Sequence, residues 1–119
     1  MKHSLYCMIL YTMMGMNTAY AGSVESYIHM LEQANQRYQQ SSRQFFNTLN
    51  PQQQGFNAAQ QAQYCRLLQS YVNDVYAAVL ANQNVLKQKK YNKADVIAEI
   101  EGKREIQALK KYAVKCQLE

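Results

Sequence analysis

At 119 residues, with 13 Lys and Arg against 8 Asp and Glu, one Pro and no Trp, the chain is long enough for one small domain and too short for several. The formal net charge of +5 is mild, so charge alone does not mark the chain for any one partner.

The N-terminus is laid out as a secretory signal peptide. Lys2 and His3 give a short basic start, Leu5 to Met16 form an apolar run, and Ala19-Tyr20-Ala21 makes a small-x-small cleavage site before Gly22. Twelve apolar residues fall short of the roughly 20 needed to cross a bilayer, and Asn17-Thr18 follows them instead of a stop-transfer segment. The expectation is cleavage: residues 1–21 as signal peptide, 22–119 as a single helical domain, and a periplasmic or secreted bacterial product with no transmembrane segment after cleavage. Cys7, behind Ser4-Leu5-Tyr6, does not sit in a lipoprotein box. Cleavage removes five of the six Met, so the apparent Met richness is no argument for copper. It leaves 98 residues with 12 Lys and Arg, 8 Asp and Glu, two Cys and one His. An exported product of this kind rarely meets nucleic acid, and none is expected as a partner.

From Ser23, a suitable N-cap, the residues Val24, Tyr27, Leu31, Ala34, Tyr38, Phe45 and Leu49 recur at helical steps among Gln, Asn, Ser and Arg. Asn50-Pro51-Gln52-Gln53 then supplies a cap, a proline for the first helical position and a Gln at the capping-box position, so a second helix is expected to start at Pro51. Its apolar side includes Phe56, Ala59, Tyr64, Leu67, Leu68, Tyr71, Val72, Val75, Val79 and Leu86, which carries it to about Gln88, with Asn82-Gln83-Asn84 as a weak spot. Asn92 followed by Asp95 opens a third helix, with Val96, Ile97, Ile100, Ile106, Leu109, Ala113 and Cys116 on its apolar side and Gly102 as its one poor helix former. Gln33 to Gln69 is rich in Gln, but aromatic residues at helical spacing within it favour a folded helix over a disordered tract.

Pairing arithmetic ties these pieces together. Across an antiparallel hairpin, facing residue numbers sum to a near constant; Cys65 with Cys116, Leu68 with Ala113, Val72 with Leu109 and Val75 with Ile106 all sum to 181. For the first hairpin, Phe45 with Phe56 sums to 101, and Leu31 with Tyr71 to 102. The expected fold is all-α, an antiparallel three-helix bundle of helical hairpins with one disulfide, Cys65–Cys116. At about 50 residues of loop, chain entropy assigns such a bridge on the order of 4 kcal/mol.

Little in the chain points to catalysis. His29 is the only imidazole after cleavage, and a lone His29-Met30 pair is weak support for a metal. Glu99, Glu101 and Glu105 alternate with Lys103, Arg104, Lys110 and Lys111 as a solvated helix face rather than as an acid pair. Cys65 and Cys116 do not form a C-x-x-C redox pair. No enzyme, cofactor or metal is expected. The candidate partner-binding residues are Tyr64, Tyr71 and Tyr76, because the tyrosines exceed what one narrow stripe can bury, together with Lys87, Lys89, Lys90 and Lys93 at the second turn. The alternative for these groups is tyrosine padding at the core edge and a solvated lysine turn.

The stretch Leu31-Glu32-Gln33-Ala34-Asn35-Gln36-Arg37-Tyr38, then Leu49-Asn50-Pro51-Gln52-Gln53-Gln54 and Ala58-Ala59-Gln60-Gln61-Ala62-Gln63-Tyr64, resembles the helical hairpin of LprI-like lysozyme-inhibitor domains. Tyr64 stands where that family places an aromatic residue, while the family's Arg-Asp pair and cysteine positions are not reproduced. In general pattern the chain also looks like small periplasmic immunity proteins. Export, a disulfide-stapled helical scaffold, the lack of a catalytic set and the spare tyrosines point to a non-enzymatic binder of another protein in the cell envelope, most concretely an inhibitor or immunity protein against a cell-wall hydrolase. A pilotin-like accessory of a secretion or pilus system, or a small periplasmic chaperone, are the alternatives.

Overall fold

In this computed structural model, residues 23–86 and 91–119 are described. The expected signal peptide, and Lys87, Lys89 and Lys90, lie outside the described residues. Among the described residues there are four α-helices and no strand: α1 (Val24–Asn47), α2 (Ala58–Ala81), α3 (Lys93–Glu101) and α4 (Arg104–Lys110).

Helix α1 starts where its cap places it, with the Ser23 hydroxyl accepting from the Ser26 amide at 2.9 Å. It crosses α2 in antiparallel order, since contacts that climb along α1 descend along α2. Met30 meets Asn82, Arg37 pairs with Asp74, and Phe45 meets Phe56 edge-on at a ring separation of 5.2 Å. Ala34, wholly buried, joins Tyr64, Leu68, Tyr71, Val72 and Val79 of α2 in the core.

The second helix does not begin at Pro51. Asn50 and Gln53 do make capping bonds, with Asn50 Oδ1 accepting from the Gln52 N–H at 3.0 Å and Gln53 Oε1 from the Asn50 N–H at 3.1 Å, but they close a single turn and not a reciprocal box. Gly55, at φ +151°, then leads the chain out of helical geometry. Asn57 and Gln60 repeat the device with a full capping box, and α2 grows from there. Its far end falls at the expected weak spot, not at Gln88. The Asn82 side chain, fully buried, turns back to donate to the Ala78 carbonyl at 2.8 Å, satisfying an orphan acceptor of the last turn.

The single third helix is also corrected. Asn92 and Asp95 form the expected capping box, but α3 stops at Glu101, and the backbone passes Gly102 to an extended Lys103 before α4 begins. The phase of the apolar residues demands it. From Ile100 to Ile106 a straight helix would advance about 240° past whole turns, aiming Ile106 away from the core that holds Val96 and Ile100. The break restores burial of Ile106, and the Gln107 side chain caps the loose end of α3 through the Glu101 carbonyl at 2.6 Å.

A further correction concerns the direction of the last residues. The Cys65–Cys116 bridge is formed, with the two Cα atoms 5.3 Å apart. Yet Gln61 contacts Lys115, Cys65 bonds to Cys116, and Gln69 exchanges two hydrogen bonds with Glu119. Partners therefore ascend together, so residues 114–119 run parallel to α2 as an extended strap. The constant-sum register named the right cysteines while describing a helix that has already ended.

Candidate functional site

At the end of the molecule where α1 hands over to α2, aromatic residues gather. Phe45 lies at the centre, with ring centroids 5.4 Å from Phe46, 5.2 Å from Phe56 and 5.7 Å from Tyr64. Phe45 is buried, but its neighbour Phe46, rotated about 100° around the helix, remains 40% exposed. Between Phe46, Leu49, Pro51, Phe56, Leu109 and Tyr112 lies a groove of about 470 Å³. Tyr112, 56% exposed, forms its other wall.

Tyr112 owes its position to how α4 ends. Ala113 N–H bonds to the Lys110 carbonyl at 3.0 Å, and Val114 N–H reaches back to the Leu109 carbonyl at 3.4 Å. This 5→2 and 6→1 pair is a Schellman cap, with Ala113 in the left-handed position at φ +61° that glycine usually takes. The accompanying hydrophobic contact is supplied by Val114, buried against the core, and Leu109 beside it. The reversal sends Val114 inward and leaves Lys110, Lys111, Tyr112 and Lys115 outward and exposed. A second cleft, of about 420 Å³, opens between α2 and this segment, where Tyr64, Leu68, Ile106, Leu109 and Leu118 meet Glu101, Lys110 and Lys115. It exists because α4 approaches α3 but not the α2 backbone.

Beneath the aromatic end, Tyr38 and Tyr64 share a 2.6 Å hydroxyl–hydroxyl hydrogen bond, and Tyr38 stacks on Tyr71 at 4.6 Å, whose hydroxyl donates to Asn35. Burial, before any other cause, raises the Tyr38 hydroxyl above its ordinary value. Tyr64 is pushed up further, by burial first and then by the Tyr38 hydrogen bond. Both phenols stay neutral at physiological pH and act as hydrogen-bonding struts, not as bases.

The candidate residues from the sequence divide accordingly. Tyr64 and Tyr71 are 1% and 4% exposed and belong to the core, which withdraws them from a partner surface. The hydroxyl ends of both find partners inside the hairpin, which is how a narrow stripe buries more tyrosine than ring packing alone would allow. Tyr76 and Lys93 do come together, the ammonium 5.9 Å from the ring centroid, and both are half-buried. His29 is exposed on α1, and among the described residues no three His, Cys, Asp or Glu side chains gather around a possible metal ion. Phe46, Tyr112, Lys110, Lys111 and Lys115, all exposed, were not among the partner-binding candidates. One signal for Phe46 was available, since of two adjacent aromatic residues on a helix only one can face the core. Exposure of Lys110 and Lys111 was expected, as part of the solvated face of the third helix, while the exposure of Lys115 beyond them follows the reversal at Ala113.

No protein-family model, characterised protein or solved structure matches the chain.

Proposed function

We propose that the chain is an exported, non-enzymatic protein-binding protein, an inhibitor or immunity protein acting in the periplasm on a cell-wall hydrolase. The observation that carries this reading is the pairing of two exposed aromatic side chains, Phe46 and Tyr112, across a groove walled by Phe46, Leu49, Pro51 and Phe56 on one side and by Leu109 and Tyr112 on the other, with Asn47, Asn50 and Gln53 also in its lining. Large aromatic anchors on a rigid base are what protein interfaces favour, because they bring contact area with little ordering entropy. A disulfide between α2 and the strap suits an oxidising compartment, in keeping with the signal-peptide pattern at residues 1–21. Among the described residues no helix is long and apolar enough to cross a membrane.

The test is protection of peptidoglycan. Oxidised protein from expression of the full chain is added in stoichiometric excess to purified wall hydrolases, both glycan-cleaving and peptide-cleaving, and release of dye-labelled peptidoglycan is followed. The expected result is stoichiometric inhibition of one class. Undiminished release by every enzyme of both classes overturns the reading.

A further inference from the structure

The cleft between α2 and the last segment of the chain has the walls of a pocket for an apolar molecule. Leu68 stands on its α2 side, Ile106 and Leu109 on its α4 side, and Val114 and Leu118 on the strap. Polar groups around it are already engaged with one another. The Lys115 carbonyl accepts from Gln61 at 3.2 Å, the Glu101 carbonyl from Gln107 at 2.6 Å, and the Tyr64 hydroxyl pairs with that of Tyr38. What such walls offer a guest is carbon, and removal of the guest's own carbon surface from water is the driving force for entry.

Volume limits the guest. An apolar cavity of about 150 Å³ holds one benzene, roughly 25 Å³ per carbon, so a cleft of about 420 Å³ has room for up to roughly 16 carbons. One alkyl chain fits, and the paired chains of a bilayer phospholipid do not. The strap is held at this distance from the α4 side because Cys65–Cys116 and the two hydrogen bonds between Gln69 and Glu119 fix it to α2 on either side of Leu118.

Charge sets the head group. Lys110 and Lys115 line the same cleft and are exposed, against one carboxylate there, the half-buried Glu101. Neither ammonium is paired with it, since among the described residues Arg37–Asp74 is the one ion pair. Apolar walls under an unbalanced positive rim suit a guest that is hydrocarbon along its length and anionic at one end. We propose that this cleft binds a single-chain anionic amphiphile of the fatty-acid class, its alkyl chain against Leu68, Ile106 and Leu118 and its carboxylate at Lys110 and Lys115. The site shares only Leu109 with the groove at Phe46 and Tyr112, and it does not depend on the hydrolase reading.

Oxidised protein from expression of the full chain is titrated by calorimetry, below micelle-forming concentrations, with decanoate, decanol and decyltrimethylammonium, which share one alkyl chain and differ in head group. The expected result is one decanoate per chain, bound at least about fivefold more tightly than either of the others. Lys110→Gln/Lys115→Gln should erase that preference. Leu118→Trp, which fills the cleft from a half-buried strap position, should weaken decanoate binding by at least about fivefold, while Lys111→Gln, at an exposed lysine outside the cleft, should change nothing. Circular dichroism and thermal midpoints matching those of the parent establish that the variants are folded. Equal binding of the three amphiphiles, no binding of decanoate, a preference that Lys110→Gln/Lys115→Gln leaves intact, or decanoate binding unchanged in folded Leu118→Trp overturns the proposal. None of these results touches the peptidoglycan assay, so the two readings fail separately.

Discussion

The α1–α2 hairpin and the α3–α4–strap half of the molecule reach stability by different routes. The hairpin has two 24-residue helices joined by a continuous aromatic and aliphatic seam. The other half has helices of 9 and 7 residues, too short to be stable by themselves, with no side-chain cap at the start of α4. It is kept in place by a few buried anchors, Val96, Ile100, Ile106 and Val114, and by one covalent bond. The staple is found where the packing is thin; the basic turn from Lys110 to Lys115 lies on that stapled half, and the groove lies between it and the α1–α2 connection. A segment that must present side chains outward has fewer left to bury, and the disulfide replaces part of what burial would supply.

Phe45→Ala strikes the hairpin at its aromatic centre and should have the largest effect, a loss of about 3–5 kcal/mol read by chemical denaturation, with both halves unfolding together. Reduction, or Cys65→Ser with Cys116→Ser, should remove up to about 4 kcal/mol and act unevenly. Hydrogen exchange is expected to accelerate across 104–119 while the middle of α1 and α2 stays protected; uniform acceleration would show that the two halves are one cooperative unit.

Tyr64→Phe separates the hydrogen bond from the ring. At neutral pH it should cost about 1 kcal/mol, from the lost hydroxyl pair with Tyr38. At alkaline pH the sign is set by the raised Tyr38 and Tyr64 values. The unfolded chain ionises first, near the ordinary 10.0, so their contribution is complete below that pH and is lost as pH rises through the folded values. The variant, with one such group fewer, should lose stability less steeply above about pH 10 in pH-dependent denaturation. The smallest effect expected is a gain. Ala113→Gly should add about 1 kcal/mol, because glycine takes the left-handed cap position without the steric penalty of a Cβ. A loss of stability there would mean that the turn is held by something other than the Schellman cap.

Local signals carried much of the first half into view. Ser23, Asn92 and Asp95 cap where their chemistry says they should, and the Phe45–Phe56 pairing was readable from hairpin arithmetic. Asn50-Pro51 misled because a capping-box sequence is local and reads the same whether one turn follows or six; Gly55 and the docking of Phe56 on Phe45 chose Asn57 instead. The break at Gly102 was legible in the phase slip between Ile100 and Ile106, which a list of apolar residues conceals and an angular reading reveals. Of the candidate site, Cys65, Cys116 and the Tyr76–Lys93 pair are brought together, while Tyr64 and Tyr71 turn inward.

By itself the sequence determined helicity, two of the N-terminal caps, at Ser23 and Asn92, and which two cysteines could bridge, because each of these rests on spacing and on chemistry within a few residues. Only the tertiary structure decided which tyrosines are core and which are surface, since Tyr38, Tyr64 and Tyr71 bury their hydroxyls by pairing across helices far apart in the chain. It also decided the direction of the strap. A left-handed Ala113 is a conformation no local propensity favours, held by the burial of Val114 and the covalent pull of Cys116, and it puts Tyr112 and the lysines on the outside.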